Sequence, residues 1–300
     1  MQSFSNFIPE PTADGSFTFF SAEFGEAFHS HQGARQEAAL KFVQPTHLKQ
    51  KANQPSLRLL DICYGLGYNT AAALEMIWTV NPHCQIEWVG LELDPTVPQA
   101  AIAHHLLDSW PVVIQELLAT LAIAQPVQTE HLKAQLLIGD ARQTIQQVKQ
   151  LDWITQNSPV AKQAKFDVIF LDPFSPPHCP QLWTVEFLGH VANCLKPSGR
   201  LATYSCAAAV RTALTMAGLQ IGSTSPVGRR SPGTVASLTA TDLSSLSVQE
   251  QEHLLTRAAV PYRDPDLSDS TAVILQRRQM EQQTCALEPT SQWKKRWSTC

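Results

Sequence analysis

The chain has 300 residues, of which 44% are hydrophobic and 16% are charged, and its formal net charge is −4. This length and composition suffice for one substantial hydrophobic core with extensions. No apolar run approaches the roughly 20 residues that span a bilayer, the N-terminus has no leader-like pattern, and the cysteines form no Cys-x-x-Cys pair. We therefore expect a cytoplasmic protein without a membrane span, a disulfide framework or a metal site.

The first 55 residues are predicted to form an N-terminal extension. A turn at 12–16 precedes two short aromatic-rich strands of a hairpin, at 17–20 and 23–28. Helical spacing follows over 35–42, and Pro45 ends it. Residues 56–243 form the predicted main domain. Residues 244–300 are a polar, Gln-rich extension, expected to be partly mobile, with helical character at 276–279.

The main domain opens with an apolar run, residues 59–62, that ends at a turn containing Gly65 and Gly67. Glycines at a strand-to-helix turn let the backbone approach a ligand, and the helix N-terminus offers free N–H donors. The turn lacks the third glycine of a dinucleotide fingerprint and the Gly-Lys-Ser/Thr of a phosphate loop. This pattern indicates a nucleoside ligand without phosphates, and S-adenosyl-L-methionine (AdoMet) fits it.

Three later apolar runs each end in a carboxylate, at Glu92, Asp140 and Asp172. Buried parallel strands deliver such acids to the carboxyl edge of a sheet, where open α/β sheets bind ligands. Glu92 follows the glycine turn by about 25 residues, the spacing of a ribose-hydroxyl acceptor. The alternation predicts an α/β fold with helices at 69–80, 98–107, 112–124, 141–151, 182–195 and 207–217.

A proline-rich loop follows Asp172, with prolines at 173, 176, 177 and 180. Prolines fix φ and reduce the freedom of the loop, which suits a wall beside a substrate. Three aromatic residues of this region are candidates to stack on a base: Phe174, Trp183 and Tyr204. A local basic surface can exist on an acidic protein, so three arginines are candidates for phosphate contacts: Arg211, Arg229 and Arg230.

Longer motifs give a specific resemblance. The chain reads F-L-D-P-F-S-P at 170–176, P-Q-L-W-T at 180–184, K-P-S-G-R-L-A-T-Y-S at 196–205 and V-G-R-R at 227–230. With residues 61–69 and the P-Y-R-D-P motif at 261–265, these segments resemble the methyltransferase domain of the MnmC family of tRNA wobble-uridine enzymes. Glu26 and the residues around it also resemble stand-alone members of that family.

The resemblance implies a class I AdoMet-dependent methyltransferase fold with a mostly parallel, seven-stranded sheet. It also implies methyl transfer from AdoMet to the exocyclic amine of 5-aminomethyl-uridine, or its 2-thio form, at the tRNA wobble position. Many relatives carry an FAD-dependent oxidase domain, but this chain has no second G-x-G-x-x-G, so we expect the methyl-transfer step alone. The oligomeric state stays open.

Charge and position along the chain predict roles for individual residues. Asp172, which also matches the acid of the family, would orient the substrate ammonium and accept its proton. Glu92 would bind the ribose, a role that Asp94 could take instead, and Asp140 would contact the adenine amino group. The remaining cofactor-binding residues would be Asp61, Gly65, Gly67 and Asn69.

The chain departs from the family pattern in two places. Asp61 and the pair Cys63-Tyr64 stand where the family has Glu and Gly-Phe, and Asp keeps the carboxylate but shortens its reach. Pro173 stands where Gly is common, and it removes an N–H donor next to Asp172.

Two other readings stay open. The fold also fits a polyamine synthase-like aminopropyltransferase, although such enzymes usually carry an acid directly after the glycine turn, where this chain has Tyr68-Asn69. The chain could also be a catalytically silent tRNA-binding or scaffold protein. Calorimetry with AdoMet would separate that reading from both enzymes.

Overall fold

The computed structural model describes Phe4 and residues 6–151, 165–227 and 231–298. The N-terminal extension holds two short ribbons: β1 (Glu10–Pro11) pairs with β2 (Phe17–Thr18), and β3 (Phe20–Ser21) pairs with β4 (Glu26–Ala27), both antiparallel. The predicted hairpin is therefore present but shorter, because residues 17–18 pair with β1 instead. Asp14 fixes the turn between β1 and β2 by accepting the Ser16 backbone N–H at 3.0 Å.

The helix predicted over 35–42 is present, but its hydrogen-bond pattern changes midway. An α-helix, α1 (Ala34–Glu37), continues as a π-helix over Ala38–Val43, and α2 (Leu48–Lys51) follows. Short π-helical turns are rare and often lie at functional sites. This one carries Lys41, whose side chain is buried.

The main sheet has eight strands among the described residues: β5 (Ser56–Ile62), β6 (Gln85–Glu92), β7 (Val127–Gln128), β8 (Leu132–Ile138), β9 (Phe166–Leu171), β10 (Leu195–Thr203), β11 (Gln220–Ser223) and β12 (Thr234–Ser237). Their order is β11-β12-β10-β9-β5-β6-β8-β7. The five central strands are parallel, and β12 runs antiparallel to both of its neighbours. The predicted mostly parallel α/β sheet is confirmed. One strand more than expected is found because β7 forms a two-residue antiparallel edge on β8.

Helices cover both faces of this sheet. They are α3 (Tyr68–Val80), α4 (Thr96–Ala103), α5 (Val112–Ala122), α6 (Ala141–Val148), α7 (Val185–Ala192) and α8 (Ala208–Met216). The helix predicted over 182–195 begins later, because Pro180–Trp183 is a 3-10 turn and Thr184 caps α7 by accepting the Phe187 N–H at 3.3 Å. One buried apolar cluster lies on each face, and all six residues of β9 are buried. Burial on both faces explains why this strand reads as a continuous apolar run.

The C-terminal extension is helical. It forms α9 (Val248–His253), a 3-10 turn at Arg257–Ala259, α10 (Thr271–Thr284) and α11 (Thr290–Trp297). The helical character expected at 276–279 is thus part of a longer helix. Across the described ranges, no helix is both long enough and apolar enough to cross a membrane.

Candidate active site

The glycine turn joins β5 to α3 through a left-handed backbone. The φ angle is +57° at Gly65 and +87° at Gly67, a region that residues with a Cβ rarely adopt. A Cβ on Gly67 would also lie 2.6 Å from the hydroxyl oxygen of Tyr64. Cys63 has φ +66° as well, although it is not glycine. The turn is therefore a tightly specified piece of backbone at the carboxyl edge of the sheet.

Glu92 ties this turn to the neighbouring strand. The Gly65 backbone N–H donates to Glu92 Oε2 at 2.8 Å, and the Asp94 backbone N–H donates to Oε1 at 3.0 Å. Burial raises the pKa of the Glu92 carboxyl, and hydrogen bonds from the backbone N–H groups of Asp94, Gly65 and Leu93 oppose the rise. A carboxylate has about four acceptor sites, so these three bonds do not use them all. The carboxylate is therefore held in place and still has capacity to accept ligand hydroxyls.

We expect Glu92→Gln to weaken AdoMet binding by about tenfold, since a charge-assisted hydrogen bond contributes roughly 1.5–3 kcal/mol. Glutamine keeps the length of the side chain and one acceptor oxygen for the Gly65 N–H, so the turn should persist. Calorimetry with AdoMet measures the change, and the same experiment on Asp94→Asn is the comparison. Full affinity in Glu92→Gln with a loss in Asp94→Asn would move the ribose contact to Asp94.

Two buried oxygen atoms, one on Asp61 near the end of β5 and one on Asn69 in the first turn of α3, lack a donor in the part of the chain that the structure describes. Asp61 accepts the Thr70 hydroxyl on Oδ2 at 2.6 Å, and Asn69 donates from Nδ2 to Asp172. Among the described residues, Asp61 Oδ1 and Asn69 Oδ1 have no hydrogen-bond partner. Burial, reinforced by the charge of Glu92, raises the pKa of Asp61 to about 7. An unsatisfied buried acceptor costs about 1–3 kcal/mol, so a ligand that donates here would be stabilised. The ammonium group of AdoMet is such a donor, and these residues fit it.

Asp172 lies directly after β9. Its backbone N–H donates to the Ile62 oxygen at 3.0 Å, and its Oδ2 accepts the Asn69 amide at 2.8 Å. Burial raises the pKa of this carboxyl well above its usual range; the charge of Glu37 adds to the rise, and Lys41 opposes it. Glu37 and Lys41 form an ion pair at 3.6 Å on the N-terminal helix. Asp172 is therefore a partly buried acid that a nearby cation would stabilise.

The N-terminal hairpin covers the proline-rich loop. Glu26 accepts both the backbone N–H of Ser175, at 2.9 Å, and its hydroxyl. The ring of Phe24 stacks on Phe174 with centroids 4.4 Å apart, and Phe28 meets Phe174 edge-on at 5.0 Å. Sequence reasoning noted Glu26 only as part of a family resemblance and gave no site role to Glu26, Phe24 or Phe28. The concentration of aromatic residues in this short hairpin could have pointed to the two phenylalanines.

Asp140 lies two residues after β8, and the backbone N–H of its neighbour Gly139 donates to the backbone carbonyl oxygen of Glu92 at 2.8 Å. Its carboxylate caps α6 by accepting the Arg142 N–H at 2.9 Å. The Arg142 guanidinium also donates to Asp140 Oδ2, at 2.7 and 3.0 Å. About a third of the Asp140 side chain stays exposed. The acid thus sits at the same edge as Glu92, with a fixed orientation.

The three aromatic residues predicted to stack on a base, Phe174, Trp183 and Tyr204, differ in how much of the ring is exposed. Trp183 has no exposed surface and donates to the Phe174 oxygen at 2.8 Å, so it packs beneath the loop and presents no face to a base. Tyr204 is partly buried, and its hydroxyl donates to the Pro173 oxygen at 2.9 Å. One face of Phe174 is already covered by Phe24. Base stacking by Phe174 and Tyr204 stays a prediction.

The structure corrects the expectation for Arg211. Its side chain is buried, and it pairs with Glu250 at 2.8 Å and donates to the Thr234 hydroxyl at 3.0 Å. A guanidinium enclosed in this way is not available to a phosphate. Arg229 and Arg230 lie outside the described residues.

The site as a whole is acidic. One hydrogen bond connects the glycine turn to Glu92, and another connects Asn69 to Asp172. Asp61 lies on β5, which is the strand between β6 and β9. In the described ranges, no group of three or more His, Cys, Asp or Glu side chains could hold a metal ion. Carboxylates with raised pKa values in one crevice favour cationic ligands. The predicted cofactor residues therefore lie at one edge of the sheet, and the acids among them suit a positively charged ligand.

Comparisons with known proteins agree with this geometry. Residues 98–239 match the model of a family described as S-adenosyl-L-methionine-dependent methyltransferase. The crystal structure of MnmC2 from Aquifex aeolicus superposes with a TM-score of 0.77 at 32% identity, over 93% of this chain and 86% of that one.

Two curated relatives extend the comparison. Uncharacterized protein MJ0670 of Methanocaldococcus jannaschii is 29% identical over 277 residues, which are 89% of this chain and 70% of the relative. The tRNA 5-methylaminomethyl-2-thiouridine biosynthesis bifunctional protein MnmC of Acidovorax sp. is 30% identical over 215 residues, 68% of this chain. The chain spans only 31% of that bifunctional protein's length. The glycine turn, the acid-ended strands and these similarities together show that the chain belongs to the AdoMet-dependent methyltransferases, in the family that includes MnmC2 and MnmC.

Proposed function

We propose that this enzyme methylates the exocyclic amine of 5-aminomethyl-uridine, or its 2-thio form, at the wobble position of tRNA. The name of the bifunctional relatives, which make 5-methylaminomethyl-2-thiouridine in tRNA, supports this substrate. The observation that carries the proposal is the position of Asp172. This acid stands at the end of β9, fixed by Asn69 at 2.8 Å, beside an aromatic wall.

The chemistry follows from charge. A primary alkylamine resembles lysine and is mostly protonated near neutral pH, whereas the attacking nitrogen needs a free lone pair. When bound, AdoMet supplies an electrophilic methyl group on a sulfonium. Asp172 pairs with the incoming ammonium and accepts its proton, directly or through water. The raised pKa of Asp172 makes its carboxylate a better proton acceptor than an exposed aspartate.

The other residues position the two partners. Asp61 and Asn69 each offer an acceptor oxygen to the methionine ammonium, and Glu92 offers its carboxylate to the ribose hydroxyls. The rings of Phe24, Phe28 and Phe174 form an apolar wall beside Asp172, and a wall of this kind excludes water and strengthens the pairing of charges. Alignment of the amine with the methyl group supplies the remaining rate enhancement.

Glu37 gives this mechanism a pH signature. Because its negative charge raises the pKa of Asp172, Glu37→Gln should lower that pKa. Activity needs ionised Asp172, so the rising limb of the pH–rate profile should move to lower pH in the variant. Single-turnover rates between about pH 6 and pH 9 measure this shift. The amine substrate titrates identically in both proteins. An unchanged profile would therefore mean that the ionisation of Asp172 does not set the rising limb.

The proposed function has a direct test. Nucleoside mass spectrometry of tRNA from a strain lacking this gene should show aminomethyl-uridine in place of the methylated form. The purified chain with AdoMet should methylate that tRNA in vitro, and added salt should weaken tRNA binding because phosphate contacts release counterions. Fully methylated tRNA in the deletion strain would contradict the proposal. No specific observation favours the aminopropyltransferase or the silent scaffold.

A further inference from the structure

The C-terminal motif at 261–265 has no part in the proposed reaction, yet it packs beside the site. The backbone carbonyl oxygen of Tyr262 accepts the Val185 N–H at 3.1 Å, and the backbone N–H of Asp264 donates to Glu186 Oε2 at 2.8 Å. The motif therefore lies on the first turn of α7, the helix that follows the proline-rich loop. The side chain of Asp264 is fully buried. A buried carboxylate persists only with strong partners.

Arg142 is such a partner, and it joins Asp264 to Asp140. Its NH1 donates to Asp264 Oδ2 at 2.9 Å and to the backbone oxygen of Asp269 at 2.9 Å. The other oxygen of Asp264 accepts the backbone N–H groups of Ser268 and Asp269, each at 3.1 Å. The Nε of the same guanidinium donates to both oxygens of Asp140, at 3.2 and 3.0 Å, and NH2 donates to Oδ2 at 2.7 Å. One arginine therefore bridges the C-terminal extension and the end of β8.

We propose that Arg142, held by Asp264, is a positioning residue that orients the Asp140 carboxylate toward the adenine amino group of AdoMet. This inference rests on the adenine contact proposed for Asp140. The backbone N–H of Arg142 caps Oδ1 alone, and a carboxylate held at one oxygen can still rotate about its own axis. The planar fork of the guanidinium removes that freedom, because it binds the carboxylate in a defined plane.

An oriented carboxylate discriminates between bases. It accepts a hydrogen bond from the exocyclic amine of adenine. Hypoxanthine carries a carbonyl oxygen at that position, which would face the carboxylate as one acceptor against another. A site built around such a hydrogen bond rejects the analogue that lacks the donor. The orientation of Asp140 is thus measurable as a preference for adenine.

The test compares the affinities of the full-length chain for S-adenosylhomocysteine and S-inosylhomocysteine by calorimetry. The wild type should bind the adenine compound at least about tenfold more tightly. Arg142→Gln and Asp264→Asn should each lower this ratio several-fold, although Asp140 itself is unchanged. Arg142→Lys keeps the charge but lacks the planar fork of the guanidinium, so it should lower the ratio as well. This variant replaces Arg142→Gln in the test if Arg142→Gln does not fold.

A matched control lies in the same extension. Arg296 pairs with Glu252 at 2.9 Å and with Glu288 at 3.0 Å, outside the Arg142–Asp264 network, so Arg296→Gln should keep the wild-type ratio. Melting temperatures report the structural cost of each variant separately. Asp140→Asn should remove the preference, and adding Arg142→Gln to it should cause no further change.

The outcomes separate the two proposals. If Asp140→Asn removes the preference while the Arg142 and Asp264 variants keep it, Arg142 does not position Asp140. If Asp140→Asn keeps the preference, the adenine contact is wrong and the positioning role falls with it. Neither result affects methyl transfer to tRNA as the proposed reaction, which the tRNA assay measures independently.

Discussion

Replacing Asp172 with asparagine is expected to slow methyl transfer by about 100-fold or more while AdoMet affinity changes little. Asparagine has nearly the same size, and its oxygen can still accept the Asn69 amide that now bonds to Asp172 at 2.8 Å. It cannot accept a proton or pair with an ammonium. The variant therefore loses the proton acceptor and the negative charge but keeps the size of the side chain and its hydrogen bond to Asn69.

Single-turnover methylation of aminomethyl-uridine tRNA measures the rate, and calorimetry measures the affinity. Asp167→Asn is the matched control, because Asp167 is a buried acid near the other end of β9, paired with Lys196 at 2.7 Å. That change should lower stability but leave the rate of the folded protein intact. A near-normal rate in Asp172→Asn would make Asp172 structural and leave deprotonation to solvent or another residue.

Replacing Asp61 with asparagine should have two opposite effects. It should weaken AdoMet binding by about tenfold or more, because the variant loses a charged acceptor for the methionine ammonium. It should also stabilise the ligand-free protein by about 1–3 kcal/mol near neutral pH, since a buried carboxyl that is partly ionised there is replaced by a neutral amide. The site thus carries a destabilising group that the ligand would satisfy.

The sign of this stability effect follows from the pKa. Burial raises the pKa of Asp61 from 3.8 to about 7, so the folded chain holds a proton that the unfolded chain releases between those values. The contribution of Asp61 therefore makes stability fall as pH rises from about 4 to about 7. Urea unfolding at about pH 5 and about pH 8 should show the larger gain for Asp61→Asn at the higher pH.

Two further results complete this test. Asp61→Glu keeps the charge and should retain more affinity for AdoMet than Asp61→Asn. An equal gain in stability at both pH values would contradict the raised pKa of Asp61, and unchanged affinity would contradict its contact with the ammonium.

The α/β fold could be predicted from the sequence because its strands are buried on both faces and end in recognisable residues. The apolar segments before Glu92, Asp140 and Asp172 predicted three central strands. They also predicted the edge of the sheet at which these three acids lie. Pairing in short strands was less predictable. Residues 17–18 pair with β1 in a ribbon whose turn is fixed by the Asp14 side chain, and β7 is only two residues long. Strands this short have too few residues to show an alternating pattern in the sequence.

The candidate site was predictable where residues lie on the sheet and less so where distant segments meet. Nothing in the spacing of Arg211 showed that Glu250 would enclose it, since the two are far apart in the chain. Nor did spacing show that Asp264 would reach Arg142, or that Phe24 would stack on Phe174. These contacts depend on how the two extensions pack against the domain.

The bond between Glu26 and Ser175 has a consequence for folding. It joins residues separated by 149 positions, whereas β5, β6 and β8 pair across short connections. Closing so long a loop costs entropy, so contacts of this kind tend to form after local ones. We therefore expect the wall beside Asp172 to assemble last and to open first. In mild denaturant, the Ser175 amide should exchange its hydrogen before those of β9, and substrate binding should be lost while the sheet is still folded.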